Sequence, residues 1–322
     1  MKILVTGAAG FLGRQLIERL ITCKGLTDKN GQQQAISQII ACDRVALEGI
    51  SDPRVEVVCG DIADRHWLAS IIDRQIDSIF HLAAIVSGQA EQDFELGMRI
   101  NVDATRQLFE LARAVGNCPK VVITSSVAVF GGALPQVVPD SQVWMPQSSY
   151  GTQKALNDLL LADYSRRGYI DGRSLRMPTI AVRPGKPNQA ASSFVSGIIR
   201  EPLQGIAAVC PVSPQTQLWL LSPEKAIENL ILGHELDATA LTQGRVINLP
   251  GLSVSVQQML DSLRNIAGDN VANLVRLEPD QKIEKIVNSW PGDFEATYAK
   301  HLGFRGEQHI DNLINGFIKT LK

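Results

Sequence analysis

The hydrophobic pattern of the first half of the chain alternates between two periods. Short, nearly continuous apolar runs at Lys2–Thr6, Ile36–Asp43, Val55–Gly60, Asp77–Ala83, Lys120–Ser125 and Arg173–Val182 predict strands. Between them, apolar residues recur three and four apart over Phe11–Cys23, Trp67–Arg74, Asp93–Val115 and Tyr150–Arg167, which predicts amphipathic helices. Strands interleaved with helices predict an α/β protein with a doubly wound parallel sheet. Continuous rather than alternating apolar strands fit a sheet covered on both faces.

Two stretches depart from this rhythm. Lys24–Ala35 is polar, with Gly25, Gly31 and several glutamines, and predicts a surface insertion between the first helix and second strand. Beyond Arg183, prolines at 184, 187, 202, 211, 214 and 223 interrupt short elements, while Pro223–Leu236, Val254–Ile266 and Asp311–Leu321 predict helices. The chain therefore divides into an α/β domain over residues 1–182 and a smaller C-terminal lobe over 183–322. Residues of about 223–249 are expected to return to the first domain.

Composition narrows the function. Net charge is -2 and the two signs are well mixed, with no basic tract, so nucleic acid is not an expected partner. No apolar run approaches the ~20 residues of a membrane span. The chain enters a strand at Lys2, leaving no room for a signal peptide. Cysteines 23, 42, 59, 118 and 210 are scattered without Cys-x-x-Cys spacing, which fits a reducing cytoplasm. His66, His234, His301 and His309 lack ligand spacing with Cys, Asp or Glu, so no metal is expected.

The chemistry lies in two motifs. Gly7-Ala-Ala-Gly10-Phe11-Leu12-Gly13 follows the first strand and opens a helix. Such glycines allow a tight turn, a close backbone approach to a pyrophosphate and close helix–strand packing, and the helix N-terminus favours the anion. Asp43 ends the second strand, where a carboxylate accepts hydrogen bonds from both ribose hydroxyls and repels a 2′-phosphate. That favours NAD over NADP, although Arg44 is adjacent. Asp61 is a candidate for the adenine edge, and the small residues Ala83 and Ala84 let backbone run beside a cofactor. At the other end, Tyr150 and Lys154 stand four apart and share a helix face. The ammonium is expected to lower the phenol pKa from its usual value near ~10. Ser126 ends the fifth strand and can bond the reacting oxygen. His81 reads as a packed structural histidine.

Together Thr6–Gly13, Gly60-Asp61-Ile62, His81–Ala84, Asn101-Val102, Ser125–Gly131 and Tyr150-x-x-x-Lys154 resemble the extended short-chain dehydrogenase/reductases, the NAD-dependent epimerase/dehydratase family. The resemblance covers the first half of the chain. It implies a Rossmann-type fold, NAD, Tyr150 as general acid/base, Lys154 as ribose-binding cation and Ser126 as the group orienting the substrate oxygen. It also implies cofactor contacts from Ile62, Pro178 and Asn101 (the last a structural or proton-relay residue) and a homodimer. The dehydratase Asp-Glu pair is absent, since Val127-Ala128 follows Ser126.

Val86–Glu91, Arg183–Asn188, Ala191–Phe194, Gly197–Pro202, Trp219–Pro223 and Ser289–Gly292 resemble one subgroup over most of the chain, the D-erythronate dehydrogenases. That implies NAD-dependent oxidation of a small sugar acid at C2, D-erythronate to 2-dehydro-D-erythronate. Ser87, with Gly88 and Gln89, is a candidate pocket residue. Arg183 can fork onto a substrate carboxylate, or form an ion pair at the domain seam; Lys186 and Asn188 are further candidates. A nucleotide-sugar 4-epimerase and a non-catalytic NAD-sensing protein are the alternatives.

Overall fold

The computed structural model describes residues 1–72, 76–185 and 192–321. Its strands are β1 (Lys2–Thr6), β2 (Leu26–Thr27), β3 (Gln33–Gln34), β4 (Gln38–Asp43), β5 (Val55–Cys59), β6 (Ile76–His81), β7 (Lys120–Ser126), β8 (Asp171–Met177), β9 (Thr179–Ile180), β10 (Ala208–Cys210), β11 (Gln217–Leu221), β12 (Val246–Asn248), β13 (Leu252–Ser255) and β14 (Val275–Leu277). Seven of them form one parallel sheet in the order β12-β8-β7-β6-β1-β4-β5. Strand order reverses on either side of β1. In such sheets the crevice beyond the carboxyl ends at that switch point is where a ligand binds.

Alternation along β1 sends its side chains to two cores. Ile3 and Val5 pack with Leu16, Ile17 and Leu20 of the Phe11–Thr22 helix and with Leu230 of the Pro223–Glu235 helix. Leu4 packs on the other face with Leu108 and Phe109 of the Ala104–Val115 helix and with Leu161 of the Ser149–Arg166 helix. Full burial of each such side chain contributes about 1.5–3 kcal/mol, more than the ~1 kcal/mol of a helix cap. The two apolar layers therefore hold the sheet. Among the described residues, no helix is long and apolar enough to cross a membrane.

Some predicted elements end elsewhere. The strand read as Arg173–Val182 stops at Met177, because Pro178 has no N–H to give a ladder. Two residues on, Thr179–Ile180 pairs instead with β11, in a three-stranded sheet of order β13-β11-β9. The chain thus crosses from the large sheet to the second one just before Arg183. In the other direction, β12 rejoins the large sheet, and Tyr298, Ala299 and Phe304 join the core of the first layer. The remaining lobe has its own core around Ile198, Leu220, Met259, Leu263 and Phe317. The helix read as Trp67–Arg74 runs Arg65–Ile71, started by the Asp64 carboxylate, which accepts the His66 and Trp67 N–H groups; Arg74 lies outside the described residues.

The single long helix read over Asp93–Val115 is also divided. A turn of helix at Phe94–Gly97 leads into a π-helical segment, Met98–Asp103, before Ala104–Val115 begins. The wider turn carries Asn101 into the interior.

The Lys24–Ala35 insertion folds as the β2–β3 hairpin and is anchored rather than loose. Leu26 is buried, and Thr27 gives both its N–H and its hydroxyl to the Glu235 carboxylate, at 2.9 and 2.5 Å. Glu235 also meets His234 Nδ1 at 3.0 Å, and His234 Nε2 meets the Ser78 hydroxyl at 2.7 Å. Burial alone pushes the Glu235 carboxyl up, but the hydrogen bonds from His234 and Thr27 outweigh it and hold it at about 2. An unfolded glutamate titrates near ~4.3, so this contribution to stability is complete above about pH 4.3 and is lost as pH falls towards ~2. Glu235→Gln is expected to melt below wild type at neutral pH, with the gap closing below about pH 4. A gap independent of pH in thermal melts would assign the loss to packing instead.

Candidate active site

β1 delivers Gly7 to the switch point in the left-handed region, φ 71°. A Cβ there would lie 2.7 Å from the Ala83 nitrogen, so only glycine lets the turn touch the segment after β6. Gly13, in the first helical turn, would put a Cβ 2.0 Å from the Gly7 carbonyl oxygen. Gly10 precedes the Phe11–Thr22 helix and supplies no side-chain cap to its first N–H groups. The result is a close-packed turn with uncapped donors and a partial positive charge, which suits a pyrophosphate. The Asp43 carboxylate closes the turn, accepting the Ala9 N–H at 3.0 Å and, through its other oxygen, the Arg44 N–H at 2.7 Å. Gly7, Gly10, Phe11, Leu12 and Gly13 line a cleft of about 340 Å³, faced by Thr124, Ile180, Arg183 and Arg200.

Other candidates take their places around this cleft. Asp61 accepts the Ala63 N–H at 2.9 Å and pairs with Arg99 at 3.3 Å, closing the turn after β5. The Ile62 side chain belongs to the core beneath. Ala83 is the residue that abuts Gly7, and Ala84 follows it, partly buried; the cleft wall itself is made by Leu82 and Val86. Ser87, partly buried, opens the short Ser87–Gln92 helix directly after that wall. Pro178 is buried at the β8–β9 junction, and Ile180 lines the cleft in its place.

Asn101 does not offer its amide to a cofactor. Only 1% exposed, it accepts the Ile85 N–H at 2.7 Å and donates to the Ile85 carbonyl at 3.1 Å and to Gln153 Oε1 at 2.7 Å. It ties the loop after β6 to the Ser149–Arg166 helix, and acts on the cleft only through them. His81 is likewise internal. Its ring meets Thr6 and Thr105 at 2.7 and 2.9 Å, and burial, reinforced by Lys154, pushes its pKa down to about 3, so it stays neutral.

The Ser149–Arg166 helix starts because the Ser148 hydroxyl accepts the Gly151 N–H. Gly151 lets that first turn pack against the turn after Ser126, since a Cβ would sit 2.1 Å from the Ala128 carbonyl. This close approach brings Tyr150 into hydrogen-bond contact with Ser126. One turn on, Lys154 is 5% exposed and donates to the Thr124 carbonyl at 2.7 Å, with its ammonium 5.6 Å from the Tyr150 ring centre. The expected lowering of the phenol pKa is not found in the protein alone. Burial pushes Tyr150 up to about 12, against the Ser126 hydrogen bond and the positive charge of Arg183. Burial also brings Lys154 down to about 8, with Asp158 opposing. The ammonium is committed to a carbonyl, and desolvation of the phenol outweighs the available positive charge.

Arg183 borders the same space. Its N–H is held by the Ser196 hydroxyl at 3.0 Å, its guanidinium is desolvated and near enough to Tyr150 for mutual stabilisation, and among the described residues it has no carboxylate in ion-pair range. Lys186 and Asn188 lie outside the described residues. Arg200, Thr124 and Gly151 were not singled out from the sequence. The available signal for Arg200 was a lone charge among Val195, Ile198, Ile199 and Pro202, the buried face of its helix. Among the described residues, no three His, Cys, Asp or Glu side chains group as a metal site would require.

Comparison with known proteins agrees with this geometry. Residues 3–218 match the model of the NAD dependent epimerase/dehydratase family. A D-erythronate dehydrogenase of Cupriavidus necator is 53% identical over 319 residues, covering 99% of this chain and 98% of its own. A second, of Haemophilus influenzae, is 44% identical, covering 99% of both chains. The crystal structure of a nucleoside-diphosphate-sugar epimerase from Agrobacterium tumefaciens superposes with a TM-score of 0.93 at 41% identity, over 99% of this chain and 94% of the other.

The phenol's burial yields a direct test. Without cofactor, Tyr150 is expected to stay protonated past pH ~10. Bound oxidised NAD brings a positive nicotinamide and should move ionisation to lower pH. The near-ultraviolet phenolate signal of wild type minus Tyr150→Phe reads this out, and an onset unchanged by NAD would remove the cofactor charge from the activation of Tyr150.

Proposed function

We propose, for a chain that belongs to the NAD dependent epimerase/dehydratase family, NAD-dependent oxidation of D-erythronate at C2 to 2-dehydro-D-erythronate. The observation that carries this reading is Arg183, a desolvated guanidinium beside Tyr150 with no carboxylate partner among the described residues. A neutral substrate would leave that charge uncompensated, whereas a sugar acid pairs with it. The names of two full-length relatives support the same substrate.

The residues fit NAD. Gly7, Gly10 and Gly13 would hold its pyrophosphate, Asp43 its adenosine ribose and Lys154 its nicotinamide ribose. When bound, the cofactor supplies the hydride acceptor and a positive charge. Tyr150, as phenolate, would take the proton of the C2 hydroxyl as C2 loses hydride, and Ser126 would hold the same oxygen. Arg183 would fork onto the carboxylate and so present C2 to Tyr150. We further propose a cytoplasmic homodimer. The Ser149–Arg166 helix carries Leu156 and Leu159, 37% and 58% exposed, on a face free to meet a second copy.

Three variants test the roles. Tyr150→Phe should lower turnover by about 10²–10⁴-fold while NAD still binds; a rate near wild type would remove Tyr150 from the reaction. Arg183→Ala should raise the Michaelis constant for D-erythronate by on the order of 10–100-fold, the loss of a charge-assisted pair of about 1.5–3 kcal/mol, and leave NAD affinity alone. Equal oxidation of the neutral alditol erythritol by wild type would overturn the carboxylate anchor, and turnover of a nucleotide sugar without D-erythronate oxidation would favour an epimerase. Wild type should prefer NAD to NADP and Asp43→Ser should narrow that preference; equal use by wild type would refute the ribose assignment.

A further inference from the structure

The Ser193–Leu203 helix buries Arg200 behind Arg183 and carries the partly buried Glu201 beside it. Arg200, 3% exposed, gives one terminal nitrogen to the Arg183 carbonyl at 2.9 Å. Its other terminal nitrogen and its Nε meet a single oxygen of Glu201, at 2.5 and 3.2 Å. Each guanidinium nitrogen of Arg200 is thus engaged, and its charge is neutralised. The second oxygen of Glu201 is buried and has no hydrogen-bond partner among the described residues. A carboxylate held in this way is costly; it contributes two accepted hydrogen bonds and a counter-charge to Arg200.

The charges around the cleft can be counted. Arg183 and Arg200 both line it, and Glu201 offsets one of them. Further in, Asp158 and Arg176 form a buried pair at 2.8 Å. Lys154 is spent on the Thr124 carbonyl and assigned above to the cofactor. Among the described residues, one positive charge, on Arg183, remains for the substrate. One carboxylate neutralises it. A second anionic group would enter a desolvated space in which Arg200 is already paired and Glu201 repels it.

We propose that Glu201 sets the charge of the substrate, restricting this cleft to monoanionic acids by keeping Arg200 occupied as the brace of Arg183. Glu201 is then a specificity-determining residue and Arg200 a positioning residue. The inference rests on the reading of Arg183 as carboxylate anchor. It extends that reading from the presence of a carboxylate to the number of negative charges accepted.

Glu201→Gln tests it. The amide oxygen still accepts from Arg200, so the brace on Arg183 persists while the guanidinium loses its counter-charge. Two acids on the same four-carbon skeleton are compared with NAD as acceptor. D-erythronate carries one carboxylate, and meso-tartrate carries one at each end. Wild type should discriminate strongly against meso-tartrate. In Glu201→Gln the ratio of kcat/KM for meso-tartrate to that for D-erythronate should rise about tenfold or more. Arg200→Met should raise KM for D-erythronate more than it lowers kcat, with NAD affinity unchanged; an equal fall in NAD affinity would make Arg200 merely structural. An unchanged ratio in a folded Glu201→Gln enzyme that oxidises D-erythronate overturns the charge rule and leaves the proposed function standing. If wild type does not oxidise D-erythronate at all, the functional reading falls and this inference with it. Should Glu201→Gln fail to fold, inhibition of wild type decides: meso-tartrate competing as well as D-erythronate binds overturns the proposal.

Discussion

The backbone of Gly7 runs against the backbone of Ala83, and no side chain fits between them. That single close approach joins the turn after β1 to the loop after β6 at the point where strand order reverses. The rest of the site is hung from it. The Phe11–Thr22 helix can begin directly beyond the turn only because Gly13 also lacks a Cβ, which leaves its uncapped end facing the cleft. The loop after β6 is in turn read by Asn101 through both backbone groups of Ile85, and Asn101 is bonded to Gln153 of the helix that carries Tyr150. The glycine turn and the Tyr150 helix are therefore registered to each other through a backbone contact and a buried side-chain bridge rather than through exposed side chains.

Desolvation acts on nearly every ionisable group in this interior, and its sign differs by residue. It pushes the Tyr150 phenol up and the Lys154 ammonium down, so both groups lean towards neutrality in the protein alone. The same effect weighs on Arg183, and a guanidinium with no carboxylate partner among the described residues has a strong claim on an anion. The site is thus assembled in a form that its ligands complete electrically. Catalytic protonation states belong to the loaded enzyme, and the protein supplies positions and a low-dielectric surround.

Much of this was legible in the sequence because it follows from local rules. Glycines at 7, 10 and 13, an acidic residue at the end of the second long strand, and Tyr150 four residues before Lys154 are patterns whose physical reasons are near neighbours in the chain. The parallel, doubly wound sheet follows from the alternating periods. What was not legible depends on partners distant in sequence. Pro178 was read inside a strand because the run around it is apolar, yet its missing N–H moves the next residues to another sheet. The π-helical turn at Met98–Asp103 has no pattern of its own, and it carries Asn101 inward, where of the roles expected of it the structural one is the one its hydrogen bonds serve. Arg200 looks like an ordinary helix charge until its neighbours prove buried. The direction of the Tyr150 shift needed the burial of the phenol and the Thr124 carbonyl that occupies Lys154, and neither can be seen in a spacing of four.

The anchor of the β2–β3 hairpin carries a separate lesson. Ser78, His234 and Glu235 stand in the order and at the separations of a nucleophile, base and acid: 2.7 Å from hydroxyl to ring and 3.0 Å from ring to carboxylate. Yet Ser78 and His234 are each 0% exposed, and the ring lies stacked on Phe80 with its centre 5.3 Å away. No acyl group can reach the hydroxyl and no water can follow it. The arrangement that activates a serine in an open cleft here ties a buried strand hydroxyl to the carboxylate that anchors the hairpin. Access, more than distance, is what separates a reactive triad from a piece of core.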